Sequence, residues 1–224
     1  MKVFDVIMAG VDEAGRGSVI GPLVLAGVSL EENDLPKLRN LGVKDSKLLS
    51  SQRRERLAIH IRDVALNCHV LFLSPTDIDI VVNSKRRLHK LNRLEAQAMA
   101  RVITILKPNV VYVDAADVLA DRFGEHIKEN LSFELKVVSE HKADLTYPIV
   151  SAASIIAKVE RDNVISQLQK KHGNLGCGYP SDLKTMKFLE DWIKKFGSYP
   201  DFVRKSWKTA KRVKSQCDSR QKTL

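Results

Sequence analysis

Four acidic residues follow strands that the sequence predicts, and they are the residues best suited to chemistry. They are Asp12, Glu13, Asp114 and Asp144. In an open α/β sheet, sites form outside the carboxyl ends of neighbouring strands, so we expect these side chains to meet. Four negative charges in one cleft repel one another and raise their pKa values, and hard cations with oxygen ligands relieve that repulsion. A pair of Mg²⁺ ions about 3.5 to 4 Å apart can activate water and stabilise a leaving oxygen, so the set predicts phosphodiester cleavage.

Each acid taken alone also has an ordinary structural interpretation. An Asp at the end of a strand commonly forms a turn or caps a helix. We assign Asp117, which directly precedes Val118 and Leu119, to such capping rather than to metal binding. For the whole set, shared cations explain the pattern better, because a basic chain that gathers acids in one cleft would otherwise oppose its own polyanionic partner.

A glycine-rich turn follows the first acids. The segment Gly15-Arg16-Gly17, running on to Gly21, has the spacing GxGxxxG, which also occurs in dinucleotide loops. A dinucleotide site requires a helix after the turn, whereas this sequence predicts a second strand at 23–30. A loop of this kind can bring its backbone close to a phosphate or a ribose hydroxyl, and contact with the 2′-OH distinguishes RNA from DNA. A tight turn with positive φ at glycine remains the structural alternative.

The elements that position these residues are visible as apolar runs. Five runs predict strands, and apolar residues at helical spacing predict helices between and after them. Strands that come first and then alternate with helices predict a mixed α/β sheet covered by helices, parallel in its alternating part. The predicted strands are 6–11, 23–30, 70–73, 110–113 and 135–138. The first predicted helix begins at a cap at Ser50 or Ser51, and the next two cover 88–106 and 149–171. A fourth runs from a cap at Ser181 or Asp182 to Gly197, and a fifth covers 203–213.

The charge balance indicates the kind of partner. The 224 residues include 37 Lys or Arg and 27 Asp or Glu, a net charge of +10. A basic chain favours an anionic polymer or an acidic membrane surface, and charge alone does not choose between them. Residues 201–224 carry eight Lys or Arg and two Asp. We therefore expect the polyanion to lie against this end of the chain.

Length and cysteine usage suggest an organisation and a compartment. We expect a catalytic domain of residues 1–172 and a small helical, basic C-terminal region of residues 173–224. The three cysteines are odd in number and far apart, which argues against a disulfide framework and favours a reducing cytoplasm. No stretch approaches the roughly 18 apolar residues that span a bilayer, and the first residues do not follow the layout of a secretory signal. The sequence thus predicts a soluble protein without a membrane partner. We expect a monomer, although the sequence does not itself show the oligomeric state.

Six motifs, in order over residues 7–212, resemble those of ribonuclease HII, the type 2 ribonuclease H family. The last two are similar to the archaeal branch in particular. The motifs are Asp12-Glu13-Ala14-Gly15-Arg16-Gly17 with Ile20-Gly21-Pro22, Asp45-Ser46-Lys47-Leu48, Tyr112-Val113-Asp114-Ala115-Ala116-Asp117, His141-Lys142-Ala143-Asp144 with the helical segment 151–158, Gly178-Tyr179-Pro180-Ser181-Asp182, and Arg204-Lys205-Ser206-Trp207-Lys208-Thr209.

The resemblance implies a ribonuclease H-like five-stranded sheet and an endonuclease that hydrolyses RNA in RNA/DNA hybrids and cuts 5′ to single ribonucleotides in duplex DNA. It implies two divalent cations, Mg²⁺ or Mn²⁺, and products with 3′-hydroxyl and 5′-phosphate ends. The roles that it implies are metal binding and catalysis by Asp12, Glu13, Asp114 and Asp144, 2′-OH sensing by Gly15, Arg16 and Gly17, stacking on the following deoxyribose by Tyr179, and phosphate contacts by Lys47 and Lys142.

The sequence departs from the family pattern at Ser18, where the family usually has proline, and we expect this to change the stiffness of the turn. The polar tail after Val213 matches nothing in the family, and we interpret it as a frayed terminus. A sliding clamp is a conceivable partner for the basic tail, although the tail shows no convincing clamp motif.

Other classes of function make different predictions. A catalytically silent nucleic-acid binding module would bind duplexes without metal-dependent turnover, and the complete acidic set disfavours it. A nuclease acting on DNA alone would not need the loop at Gly15 or the aromatic ring of Tyr179. A nicotinamide-dependent enzyme would need the helix that is missing after the glycine-rich turn.

Overall fold

Five strands form one mixed sheet in the computed structural model, which describes residues 6–43, 49–85, 88 and 90–221. The order across the sheet is β3-β2-β1-β4-β5, so the first strand lies in the middle. All five strands coincide with predicted apolar runs, and the predicted fold class is confirmed. The strands are β1 (Ile7–Ala14), β2 (Leu23–Glu31), β3 (Asn67–Leu73), β4 (Val110–Asp114) and β5 (Lys136–Glu140).

The pairing of the strands decides which ends meet. β1 runs antiparallel to β2 and parallel to β4, and β4 runs parallel to β5. Val11 is opposite Val113, and Asp114 is opposite Glu140. The predicted parallel arrangement is therefore confirmed for β4 and β5, and the carboxyl ends of β1, β4 and β5 share one edge of the sheet.

The described chain also contains helices and a short 3-10 turn at Glu32–Asp34. Two predicted boundaries are confirmed by their caps: Ser50 accepts from the amide of Arg53, and the last helix but one begins after Asp182 and ends at Gly197, which has φ of 70°. The helices are α1 (Leu35–Asn40), α2 (Ser51–Val64), α3 (Pro75–Asn83), α4 (Lys90–Leu106), α5 (Ala120–Lys128), α6 (Ala143–Thr146), α7 (Pro148–His172), α8 (Leu183–Phe196) and α9 (Lys208–Gln221).

A glycine lets α7 lie directly against β1. A Cβ atom added at Gly10 would overlap the backbone of Ile149 and Val150 in the first turn of α7. Any other residue at this position would push the helix away from the strand. The start of α7 is thereby held beside the strand that carries Asp12.

The chain forms two compact units. The first comprises Met1–Ala14, Val24–Leu71 and His89–Glu160, and the second comprises Gly15–Leu23, Phe72–Leu88 and Arg161–Leu224. The core of the first unit lies between the sheet and helices α2 and α7, and includes Val28, Ile61, Ala153 and Ile156. The core of the second unit includes Ile20, Leu189, Tyr199 and Val213. The division at residue 172 that the sequence suggests stays a prediction.

The end of the chain corrects one expectation. The tail was expected to fray after Val213, but α9 continues to Gln221. Val213 and Cys217, four residues apart on one helix face, are both buried in the core of the second unit and hold this turn in place. The predicted helix at 203–213 begins later, at Lys208, because Val203 pairs with Ile20 in an isolated β-bridge.

None of the helices in the described part of the chain is long and apolar enough to cross a membrane. The thiols of Cys68, Cys177 and Cys217 are free, as the sequence suggests.

Candidate active site

Three aspartates meet at the shared carboxyl edge of the sheet. Asp12 lies near the end of β1, Asp114 is the last residue of β4, and Asp144 lies in α6 after β5. Each aspartate has one carboxylate oxygen that lies within 4.8 Å of a carboxylate oxygen of both other aspartates. Asp12 and Asp144 are buried, and Asp114 is half-buried. The strand order thus brings together residues that are more than a hundred positions apart in the sequence.

Hydrogen bonds fix the orientation of two of these carboxylates. The amide of Glu13 donates to Asp12 Oδ1 at 2.7 Å, and the amide of Ala143 donates to Asp114 Oδ1 at 3.0 Å. The hydroxyl of Ser154, which α7 presents, also donates to Asp12. Each bond uses one lone pair of its carboxylate and leaves other oxygen positions for a ligand.

The electrostatics of the cluster favour a bound cation. Burial and, next, the negative charge of Asp114 raise the pKa of Asp12 to about 7, while hydrogen bonds from Ser154 and Glu13 oppose the shift. Converging carboxylates in a buried position are costly unless they are protonated or compensated by positive charge. Oxygen donors in this number and spacing match the preference of Mg²⁺ and Mn²⁺. The donor set therefore fits a divalent metal.

The remaining predicted residues of the first unit lie as follows. Glu13 is half-buried, and its carboxylate lies outside the group of three, because successive side chains of a strand point to opposite faces. Lys142 is exposed, has a left-handed backbone with φ of 59° and immediately precedes α6. Lys47, with the rest of its motif at 45–48, lies outside the described residues.

Asp117 needs a correction. The sequence predicts a helix cap here, but the N-cap position of α5 is Leu119, and no side chain caps it. Asp117 instead accepts from the amide of Leu119 at 3.2 Å and pairs with the guanidinium of Arg122. This pairing holds the pKa of Asp117 well below its usual range. Among the described residues, the group of three close carboxylates does not include Asp117.

The glycine-rich loop lies in the second unit and is a tight turn with φ of 87° at Gly15. A Cβ atom at Gly15 would approach the carbonyl oxygen of Pro22 to 2.9 Å, so glycine is required by both conformation and space. Ser18 donates twice to the carbonyl of Gly15, from its amide at 3.2 Å and from its hydroxyl at 2.9 Å. Neither bond is available to the proline that usually stands here in the family, because proline has no N–H and no hydroxyl.

Arg204 holds this loop, although the sequence pattern indicates no role for it beyond membership of a motif. Its guanidinium is fully buried and donates to the carbonyls of Gly15 at 2.7 Å and Gly21 at 3.2 Å. It also donates to the carbonyl of Arg16 at 2.8 Å. The planar fork of arginine matches three carbonyl acceptors at once, which a lysine ammonium does not. A buried arginine beside a glycine-rich turn carries no sequence signal, because its partners are backbone atoms.

A second buried arginine holds the segment around Tyr179. Arg161 lies over the Tyr179 ring at 4.6 Å from its centroid and donates to the carbonyl of Cys177. The carbonyl of Gly178 accepts from the amide of Val19 at 2.8 Å, which joins this segment to the glycine-rich loop. A Cβ atom at Gly17 would lie 4.0 Å from the Tyr179 ring. The structure therefore brings Gly17 and Tyr179 together, as recognition of one nucleotide step by both would require.

The fold and the three-aspartate cluster define the class of the protein, which is that of ribonuclease H-like, metal-dependent phosphodiester hydrolases. A family model described as ribonuclease HII matches residues 9–210. The chain belongs to the ribonuclease HII family and is a metal-dependent endoribonuclease with ribonuclease H activity on RNA/DNA hybrids.

Individual relatives agree with this assignment. The chain is 47% identical to a ribonuclease HII of Pyrococcus abyssi over 97% of its own length and 95% of the relative's. The crystal structure of ribonuclease H2 from Pyrococcus horikoshii OT3 is similar, with a TM-score of 0.87 and 44% identity over 95% of this chain and 99% of that one. The PCNA:RNase HII complex from Archaeoglobus fulgidus contains a chain with a TM-score of 0.83 and 46% identity, covering 92% of this chain and 96% of that one.

Proposed function

We propose that the protein removes ribonucleotides from DNA by cutting 5′ to a single ribonucleotide embedded in a duplex, in addition to hydrolysing the RNA strand of hybrids. The products are 3′-hydroxyl and 5′-phosphate ends. The observation that carries this proposal is the convergence of Asp12, Asp114 and Asp144 within 4.8 Å. The Tyr179 ring lies beside Gly17, 4.0 Å from the place that a Cβ atom of this residue would take, and this proximity supports recognition of a single ribonucleotide rather than of a long hybrid alone.

We propose that the three aspartates, together with Glu13, hold two divalent cations, Mg²⁺ or Mn²⁺. Such ions would supply a nucleophilic water of lowered pKa and charge stabilisation of the leaving 3′ oxygen. The chain itself orients the carboxylates through the amides of Glu13 and Ala143 and the hydroxyl of Ser154. Glu13, beside Asp12 on β1, is proposed to complete the coordination when the ions bind.

The glycine-rich loop is proposed to sense the 2′-OH through the backbone of Gly15, Arg16 and Gly17. Close approach of a ribose requires a loop without side chains in the way, and Gly17 is exposed. Tyr179 is proposed to stack on the deoxyribose that follows the ribonucleotide. Lys142 and Lys47 are proposed to contact the substrate phosphates, as lysine and arginine side chains do in most nucleic-acid complexes.

The decisive experiment uses one end-labelled DNA duplex with a single ribonucleotide and its all-DNA counterpart, each with Mg²⁺ and with EDTA. We expect a metal-dependent cut on the 5′ side of the ribonucleotide and an intact all-DNA duplex. Binding of both duplexes without cleavage would instead favour a silent binding module, and cleavage of both would favour a DNA nuclease. Cleavage of an RNA/DNA hybrid in the same series compares the rate on hybrids with the rate on a single embedded ribonucleotide.

We also propose a sliding clamp as a protein partner and the cytoplasm as the compartment. The first proposal is supported by the similar chain solved in a complex with PCNA, and the second by the free thiols of the three cysteines. Co-elution of the purified protein with the clamp of the same organism tests the first. Two separate peaks at micromolar concentrations would reject the clamp as a partner. Cell fractionation tests the proposed compartment.

A further inference from the structure

Helix α8 carries a row of aromatic side chains that the proposed activity does not use. Phe188, Trp192 and Phe196 lie four residues apart, so they share one face of the helix. Their ring centroids are 5.4 Å apart from Phe188 to Trp192 and 4.6 Å apart from Trp192 to Phe196. His172, at the end of α7, lies 5.7 Å from Trp192. These four rings line a groove of about 570 Å³, which we call the aromatic groove.

The aromatic groove lies at the edge of the face that packs the helix. Leu189 and Ile193 of α8 are buried in the core of the second unit, and the partly buried rings of Phe188 and Trp192 pack against that core. Phe196, in contrast, is 54% exposed. The indole nitrogen of Trp192 donates to the carbonyl of Ser198 at 3.1 Å, which fixes the orientation of the ring. The groove is thus lined by rings that the core and this hydrogen bond hold in place, with Phe196 open to solvent at its end.

Positive charge surrounds the rings. Lys184, Lys187 and Lys195 line the groove together with one acid, Asp191. The ammonium of Lys195 lies 5.0 Å from the centroid of the Phe196 ring. Lysine is depleted in protein–protein interfaces, whereas flat rings flanked by cations are typical of surfaces that stack nucleic-acid bases and bind their phosphates. In a duplex the base faces are hidden in the stack, so unpaired nucleotides match this surface better.

We propose that the aromatic groove binds single-stranded nucleic acid by stacking unpaired bases on Trp192 and Phe196, with Lys187 and Lys195 on the phosphates. This second contact goes beyond the proposed cleavage, since it requires neither a ribonucleotide nor a metal. It would give the protein affinity for substrates that carry unpaired tails.

The test uses intrinsic fluorescence in EDTA, where nothing is cleaved. The chain contains two tryptophans, so Trp207→Phe leaves Trp192 as the reporter. Titration with a 15-mer of deoxythymidine should quench its emission saturably. In that background, Phe196→Ala should weaken binding at least about fivefold, because stacking contributes about 1–3 kcal/mol per base. Phe133→Ala, which truncates a 38% exposed phenylalanine of the first unit, is the matched control and should leave the affinity unchanged.

The charge contribution is measured separately. Replacing Lys187 and Lys195 by Gln should reduce the slope of log K against log salt by about 1.4, since each phosphate contact on a single strand contributes about 0.7. Lys136→Gln, an exposed lysine on β5, is the control.

Three results would overturn the proposal. The first is binding of the oligonucleotide without quenching of Trp192, or with equal affinity after Phe196→Ala. The second is equal, Phe196-dependent binding of a blunt duplex of the same length. The third is self-association that Phe196→Ala abolishes, measured by sedimentation velocity, which would identify the groove as a contact between copies of this chain. Because the assay contains no metal, its outcome is independent of whether the proposed cleavage occurs.

Discussion

The aspartate cluster of the first unit and the glycine-rich loop of the second are built on opposite electrostatic principles. In the cluster, negative groups converge and burial raises the pKa of Asp12 to about 7. In the loop, the buried guanidinium of Arg204 is matched by the carbonyls of Gly15, Arg16 and Gly21. The first arrangement needs a cation from outside the chain, whereas the second carries its own.

The largest expected effect is on the cluster. Asp12→Asn should reduce cleavage more than about a hundredfold, because loss of even a residue behind a metal ligand costs about 10–100-fold. Thermal unfolding in EDTA should show no loss of stability, since the substitution removes a repelling negative charge and keeps the size of the side chain. The exposed residue Asp63 provides the control, and Asp63→Asn should cleave normally. Cleavage by Asp12→Asn at a normal rate would refute the assignment of the site.

The second effect is on the loop. Arg204→Lys should lower the free energy of unfolding by about 2–3 kcal/mol, because buried carbonyls lose charge-assisted bonds that a single ammonium cannot replace. Chemical denaturation measures this loss. Cleavage of an embedded ribonucleotide should also fall more than cleavage of a hybrid. Lys205→Gln, which alters an exposed neighbour, is the control, and equal stability of the two variants would contradict the role of Arg204.

The third effect is on Asp117, which differs from the aspartate cluster of the same unit because its charge is compensated by the guanidinium of Arg122. Asp117→Asn should cost about 1–3 kcal/mol at pH 7. Since the folded-state pKa of Asp117 is depressed, its contribution is complete above the unfolded value of about 3.9 and is lost as pH falls below it. The stability difference between wild type and variant, measured by urea denaturation, should be constant from pH 7 to about 5 and shrink below about pH 4. Glu55→Gln, at an exposed position of α2, should show no such difference.

The smallest effect concerns Ser18. Ser18→Ala removes the hydroxyl bond to the Gly15 carbonyl but keeps the amide bond, so it should destabilise the protein by about 1 kcal/mol. Calorimetry measures this value. The carbonyl retains Arg204, and we expect less than about a twofold change in cleavage. A loss as large as that of Arg204→Lys would mean that Ser18, not Arg204, holds the loop.

Much of the fold was predictable because strands and helices depend on local patterns. The runs of apolar residues predict all five strands, and the side-chain oxygens of Ser50 and Asp182 predict the two helix caps. The two errors have a common cause. The frayed tail and the cap at Asp117 are both predicted from polar residue types alone. In the folded chain, burial of Cys217 in the core of the second unit extends the helix, and the ion pair with Arg122 fixes the side chain of Asp117.

The sequence by itself identified the candidate residues of the site, because acids at the ends of strands and glycines in a tight turn stand out by residue type. Their metal-binding and substrate roles stay predictions. Only the tertiary structure decided that Asp12, Asp114 and Asp144 form the close group without Glu13, and that Arg161 and Arg204 hold the segments around Tyr179 and Gly15. The physical reason is that strand order, side-chain direction and bonds to backbone carbonyls depend on the path of the whole chain. Composition and spacing do not record that path.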